Sequence, residues 1–405
     1  HCLYFLVVDG NLVGILITHV DDLFLGGDLE NKHFKNSLDT LAKELHLKFK
    51  YQNAVFCGKT VKRCENFDVE VSQPEAIASL EEIVLPKHRR ADAEAALTPD
   101  EIAEMRSGNG SLSWITRQSR GDMLIHSSTI AQQGGDFRVK HVASFNKAVK
   151  EIKETADTKL IFKHVVGTTL EDLDVFSCAD SSLGNVDDAV LGEKTRSQCG
   201  HVTCLATKPL YEVQAAHVWL LVLHSGAIPR VVRSTLAAET NGVLEGAETA
   251  DYLRSLVAEC RFCVKSAKDL STRRLEIRTV WFTEAKSLHD CLAMDKGQCS
   301  DKRVRLLVAQ LREMLAEENT TCHWIDTLVM LADALTKVEA ERGFLREALE
   351  SGLWSPENTA KTLEAKQRIR DGRQRRSLER AAIRTAAKQP HQPVGDAINT
   401  IMYSA

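Results

Sequence analysis

The spacing of apolar positions changes along the chain, and each change marks an element. Residues Leu3 to Val8 and Leu12 to Leu25 are two apolar, β-rich runs, and Asp9-Gly10-Asn11 between them signals a hairpin turn. Asn31 to Leu47 reads as a helical run, and Gln132 to Leu160 as an amphipathic one. From Leu170 the pattern becomes strand-rich: Val175 to Asp180 is a short strand ending in an acid. Gly200 to Ala206 and Ala216 to Leu223 follow as strands, with Gly226 in the turn beyond. A long helix then runs from Ser234 to about Val264, with Ser234 or Thr235 as N-cap and Leu236, Val243, Ala247, Ala250, Leu253 and Leu256 at roughly helical spacing. Arg274 to Phe282 is a strand and leads to a short helix after Glu284. Arg303 to Ala316 is a helix, Thr320 to Ile325 a strand, and Leu331 to Lys337 the start of a last helix. The order β-β-β-α-β-α-α-β-α predicts an α/β domain on a mixed sheet, with antiparallel hairpins first and crossovers later.

Composition adds bounds rather than direction. A chain of 405 residues, 43% hydrophobic and 27% charged, is ordinary globular material of two or three domains. A net charge of −4 does not announce nucleic acid. No apolar run approaches 18 residues and no signal peptide is visible, so neither membrane nor secretion is expected, and an intracellular location is. The 11 cysteines are scattered, and Cys260-Arg261-Phe262-Cys263 is a CxxC without the second pair that a zinc site needs. The chain begins at His1 and reads as a fragment.

The acids change the picture. Glu239 falls one turn into the long helix, among Ala and Leu, near where a core-facing stripe should run. A carboxylate there either lies on the solvated side or is held by a cation or metal. Asp21-Asp22 sits at a tight turn between apolar runs. That is either a turn that happens to be acidic or a pair of like charges relieved by a divalent ion.

Thr18-His19-Val20-Asp21-Asp22-Leu23 resembles the catalytic turn of reverse transcriptases of the Ty1/copia retrotransposon family, usually Tyr-Val-Asp-Asp, with His19 in place of the Tyr. Phe56-Cys57-Gly58-Lys59, Gln73-Pro74, Leu97-Thr98-Pro99 and Arg106-Ser107-Gly108-Asn109-Gly110-Ser111-Leu112-Ser113-Trp114 continue the likeness. Arg117, Gln118, Arg120 and Asp122 extend it, with Gly121 where the family has Pro. Arg233 to Glu239 and Leu331-Ala332-Asp333-Ala334-Leu335-Thr336-Lys337 resemble motifs of the same family's ribonuclease H. The match runs from Leu12 to about Trp354.

The resemblance implies an α+β palm and connection remnant over 1–165, a ribonuclease H-like α/β domain over 166–354 and a basic tail over 355–405. It implies hydrolysis of RNA in RNA/DNA hybrids with two Mg²⁺ or Mn²⁺ ions about 4 Å apart, held by Asp180, Glu239, Glu284 and Asp333. Asp21 and Asp22 are weaker metal candidates. Arg233, Ser234, Lys337, Arg373, Arg375 and Arg376 are nucleic-acid-binding candidates. No organic cofactor is implied, and the rest of the Pol polyprotein is a partner. DNA synthesis is not expected, because the further palm Asp and the fingers precede this stretch in the family.

Two departures bear on activity. The family usually has Asp where Glu284 stands, and a shift of about 1 Å in a carboxylate can cost about 100-fold in rate. The first strand aligns in two registers, placing the catalytic acid at Cys178 or at Asp180; the spacing to Gly184-Asn185 favours Asp180. His323 and Trp324 read as packing residues, His289 as a residue behind Glu284, and Asn146, Lys147, Lys150 and Lys153 as a solvated helix face or a contact to duplex backbone. Lys361 to Lys388 carries ten Lys/Arg against three acids and reads as a phosphate-binding tail or a solvated appendage, with a disordered end from Gln389. Three functions are compatible with this reading: an active ribonuclease H, a catalytically impaired nucleic-acid-binding remnant, and a decayed element fragment.

Overall fold

The computed structural model describes residues 3–187, 194–294, 301–357, 364 and 367. Up to Glu357 they form one compact unit of mixed α/β architecture with three sheets. The first sheet is an antiparallel meander of β1 (Leu3–Val8), β2 (Asn11–His19) and β3 (Asp22–Gly27). Its first turn uses Asp9 and Gly10 at φ 50° and 82°, as the hairpin signal requires. Helix α1 (Lys32–Glu44), capped by Asn31, lays Phe34 over Gly14 and Gly27; a Cβ on either glycine would come within 2.6 Å of that ring.

The second sheet joins β4 (Asn53–Phe56), β5 (Lys59–Arg63) and β6 (Val69–Ser72) to the distant β7 (Leu160–Phe162). The residues between β6 and β7 are helical: α2 (Pro74–Ser79), α3 (Lys87–Arg90), α4 (Pro99–Gln118), α5 (Leu124–Ala131) and α6 (Val139–Glu154). They bury a core that includes Met105, Leu112, Ile115, Phe145 and Ile152. Gly121, where a Pro was expected, sits against Leu223: a Cβ there would lie 2.5 Å from Leu223 Cδ2. Beside it Arg120 and Asp122 form a fully buried ion pair at 2.8 Å. The Asn146 side chain is engaged within the fold: it accepts from Ile83 N at 2.9 Å and donates to Ile83 O at 2.8 Å.

The third sheet has six strands in the order β12-β11-β8-β9-β10-β13. Strands β8 (Leu173–Asp187), β9 (Lys194–Thr207) and β10 (Ala216–Ala227) are antiparallel neighbours. Helix α7 (Thr235–Phe262) crosses the sheet, and α8 (Ala267–Arg273) leads into β11 (Thr279–Thr283), which pairs parallel with β8. Helices α9 (Lys286–Ala293) and α10 (Lys302–Leu315) then lead to β12 (Thr320–Trp324), parallel to β11. Helix α11 (Gly343–Ser351) and the edge strand β13 (Leu353–Trp354) finish the sheet. Antiparallel strands first and crossovers later are as the hydrophobic pattern predicts, with α8 and β13 in addition to the expected elements.

Some boundaries differ. β8 does not stop at Asp180 but continues to Asp187, because β9 pairs along it with a bulge after Ser182. Gly226 is not in a turn but inside β10, opposite Cys199. Arg274–Glu276 is a 3-10 turn, and the strand begins only at Thr279. Leu331–Leu335 is a 3-10 turn rather than the start of a helix: Leu331, Ala332, Ala334 and Leu335 are all buried, and no solvent-facing side remains for an amphipathic helix.

Candidate active site

The parallel pairing of β8 with β11 stops at Ala179 and Thr283, and the acid that follows on each strand, Asp180 or Glu284, lies beside the other. Asp180 lies on β8 one residue beyond the Thr283–Ala179 pair, and Glu284 follows Thr283 at the end of β11. The 3-10 turn Leu331–Leu335 brings Asp333 to them. Asp180, Glu284 and Asp333 each offer a carboxylate oxygen within 4.8 Å of the other two. Glu239 approaches from α7, buried, with the Ser181 backbone as a hydrogen-bond donor. α7 can approach because Gly242 faces β8: a Cβ there would meet Ser181 Oγ at 2.4 Å and Asp180 O at 3.1 Å. The extra methylene of Glu284 does not remove it from the group. Cys178, the other register for the first acid, lies in the apolar core with Phe176, Val202 and Phe282, and burial pushes its thiol up to about 12.

Crowding four carboxylates in a buried place is electrostatically costly. Burial, then Asp180 and Glu284, push Glu239 up to about 9. Burial and Asp180 push Glu284 up to about 7, and burial also raises Asp333 against the pull of Lys337. Lys337 enters the group itself. Its ammonium donates to Asp333 and lies 3.4 Å from Asp180 Oδ2, and these two acids hold it above its ordinary value although burial opposes them. Thr336 Oγ1 donates to the same Asp180 oxygen. Even so, Asp180 Oδ1, Glu239 Oε2 and Glu284 Oε2 are buried without a hydrogen-bond partner. Buried carboxyl oxygens without hydrogen-bond partners, which a divalent cation would hold deprotonated, are the donor set that hard cations require, so these residues fit Mg²⁺ or Mn²⁺.

The other candidates lie elsewhere. Asp21 and Asp22 are exposed at the β2–β3 turn, and among the described residues no third ligand joins them in a metal-holding group. Ser234 is the N-cap of α7, its hydroxyl accepting from Ala237 N at 3.2 Å, and Arg233 before it is exposed. Lys147 and Lys150 are exposed and lie 3.5 Å from Glu339 and Glu82. His323 packs at 6.1 Å from the Phe282 ring, and His289 lies 3.5 Å from Asp290. Arg373, Arg375 and Arg376 lie outside the described residues.

No family model and no curated protein matches the chain. Solved structures do. The ribonuclease H1 of the halophilic archaeon Halobacterium salinarum is 14% identical, over 44% of this chain and 98% of its own, with a TM-score of 0.26. LC11-RNase H1 in complex with an RNA/DNA hybrid is 10% identical over 40% of this chain and 93% of its own, TM-score 0.27. The foamy viral protease-reverse transcriptase in complex with double-stranded DNA is 9% identical over 77% of this chain, TM-score 0.43, and this chain spans 55% of its length.

One cluster had no local signal. Cys199, His224 and Glu245 also bring ligand atoms within 4.8 Å of one another. They come from β9, β10 and α7, and no short spacing relates them.

Proposed function

We propose that the chain is a retrotransposon-derived reverse transcriptase/ribonuclease H fragment of the Ty1/copia type, in which residues 166–354 hydrolyse the RNA strand of RNA/DNA hybrids and 1–165 are a polymerase remnant. The observation that carries this reading is the meeting of Asp180, Glu284 and Asp333 within 4.8 Å, beside buried Glu239, where the parallel pairing of β8 and β11 stops. The four carboxylates would hold Mg²⁺ or Mn²⁺. Such ions, when bound, activate water for attack on a phosphodiester and stabilise the leaving oxygen. The protein's own part is to hold the acids in place: Thr336 orients Asp180, the backbone of Ser181 orients Glu239, and the Trp324 indole donates to Glu284 O at 2.9 Å and fixes the end of β11. Exposed Arg233, before the N-cap of α7, would contact backbone phosphates.

The test is cleavage of end-labelled RNA in an RNA/DNA hybrid, compared with double-stranded RNA and DNA, in Mg²⁺ and in Mn²⁺. The reading expects cuts in the RNA strand of the hybrid alone; no cleavage of the hybrid in either metal contradicts it.

A second reading, a catalytically impaired nucleic-acid-binding remnant, is favoured by Lys337, whose ammonium neutralises the acids that a metal would occupy. Lys337→Ala separates the two. Under the second reading the parent is silent and this variant or Glu284→Asp cleaves; under the first, the parent cleaves and Lys337→Ala does not raise its rate.

A further inference from the structure

We propose that Cys199, His224 and Glu245 form a second, separate metal site, for Zn²⁺ or a similar borderline-soft divalent ion. The donor set differs from that of the acidic group. A sulfur, an imidazole nitrogen and a carboxylate suit Zn²⁺, whereas Mg²⁺ takes oxygen ligands. Glu245 already bridges the other two, with Cys199 Sγ 3.0 Å from Oε2 and His224 Nε2 3.1 Å from Oε1. Around a tetrahedral ion with bonds of about 2.0–2.3 Å, ligand atoms stand about 3.4–3.6 Å apart. The two contacts to Glu245 would open by a few tenths of an ångström, the Cys199 thiol proton would leave to solvent, and His224 would bind as the neutral imidazole with its proton on Nδ1. Each ligand comes from a different element, so the group is held by the fold and not by one mobile loop.

The surroundings are built for it. Gly226, opposite Cys199 on the neighbouring strand, leaves room for the imidazole: a Cβ there would lie 2.7 Å from His224 Nε2. The His201 ring stacks on His224 at 5.2 Å and 13° and orients it. Cys199 is buried, while the His224 and Glu245 side chains are 38% and 41% exposed. An ion can therefore enter from solvent, and its fourth position faces water. The site would tie β9 and β10 to the third turn of α7, the helix that carries Glu239. It is independent of the proposed nuclease activity.

The test is titration of the EDTA-treated full chain with Co²⁺, which reports thiolate ligation by a charge-transfer absorption, followed by competition with Zn²⁺. The expected result is one equivalent with a thiolate band, competed away by Zn²⁺, absent in Cys199→Ser, and kept in Asp333→Asn and in the Cys260→Ser/Cys263→Ser double variant. His224→Gln, at a half-exposed position, weakens binding at least about tenfold. Should Cys199→Ser fail to fold, as read by circular dichroism, His224→Gln and Glu245→Gln decide: unchanged affinity in both overturns the proposal. So does a folded parent without a thiolate band, a band that survives in folded Cys199→Ser, or one lost in the double variant.

Discussion

Glu239 bears the heaviest electrostatic load of the acidic group, since burial, Asp180 and Glu284 all oppose its charge and lift it to about 9. A carboxyl raised in the fold above its ordinary value of 4.5 favours folding while protonated. Its contribution is complete below about pH 4.5 and is lost as pH rises through about 9. Glu284, at about 7, adds in the same direction. Metal-free protein is therefore expected to lose stability between pH 5 and 9, and Glu239→Gln to remove at least about 1 kcal/mol of that loss. Urea midpoints in EDTA at pH 6 and pH 8.5 measure it; a parent and variant that fall equally contradict the assignment. Mn²⁺ should restore the parent at the higher pH and leave the variant less affected. Glu239 and Asp333 were readable as candidates because each sits in a local motif, whereas Asp180 competed with Cys178 and Glu284 departs from the family's Asp. That Lys337 points into the group was not readable: its motif places it beside Asp333, and only the fold sets its ammonium near Asp180.

At the scale of elements, what brings Glu239 to the other acids is the approach of α7 to β8. Gly242 permits it, so Gly242→Ala must push the helix away from Ser181 and Asp180 O. The expected cost is about 1–3 kcal/mol, read by thermal unfolding, with a loss of hybrid cleavage larger than the stability change explains. An unaffected rate would show that this contact does not position the site. A second junction is the buried Arg120–Asp122 pair, where Arg346 of α11 also donates to Asp122 at 2.7 Å and Arg120 donates to Thr155 O at 2.8 Å. Asp122→Asn leaves Arg120 buried and undercompensated, and is expected to destabilise by about 3–5 kcal/mol in urea unfolding. A change below about 0.5 kcal/mol would contradict that role. The elements were legible where periodicity was long, as in α7, α10 and β2. They were not where tertiary pairing decided the end: β8 and β10 run on because each has a partner strand, and Leu331–Leu335 coils tightly because it is buried on every side.

For the molecule as a whole, strand order places the chemistry. Two strands, β8 and β11, pair in parallel up to Ala179 and Thr283, and the chain returns twice, through α7 and through the turn at Asp333, to complete the acidic group. The β-β-β-α-β order made this sheet legible, since each connection is short or a helical crossover. The trio Cys199, His224 and Glu245 was not legible, because it arises from β9, β10 and α7 meeting in space, and residues 21 to 46 apart leave no local pattern. Among the described residues no helix is long and apolar enough to cross a membrane, in keeping with the hydrophobic pattern.

The central claim is that the four acids form a divalent-metal hydrolytic site. It is tested most directly by Mn²⁺-dependent cleavage of a labelled RNA/DNA hybrid, with the parent chain and Asp333→Asn side by side. The account predicts cleavage by the parent that EDTA abolishes and that falls at least about 100-fold in Asp333→Asn, with the variant still folded by circular dichroism. Cleavage unchanged in Asp333→Asn, or a folded parent that leaves the hybrid intact in both Mn²⁺ and Mg²⁺, would contradict it.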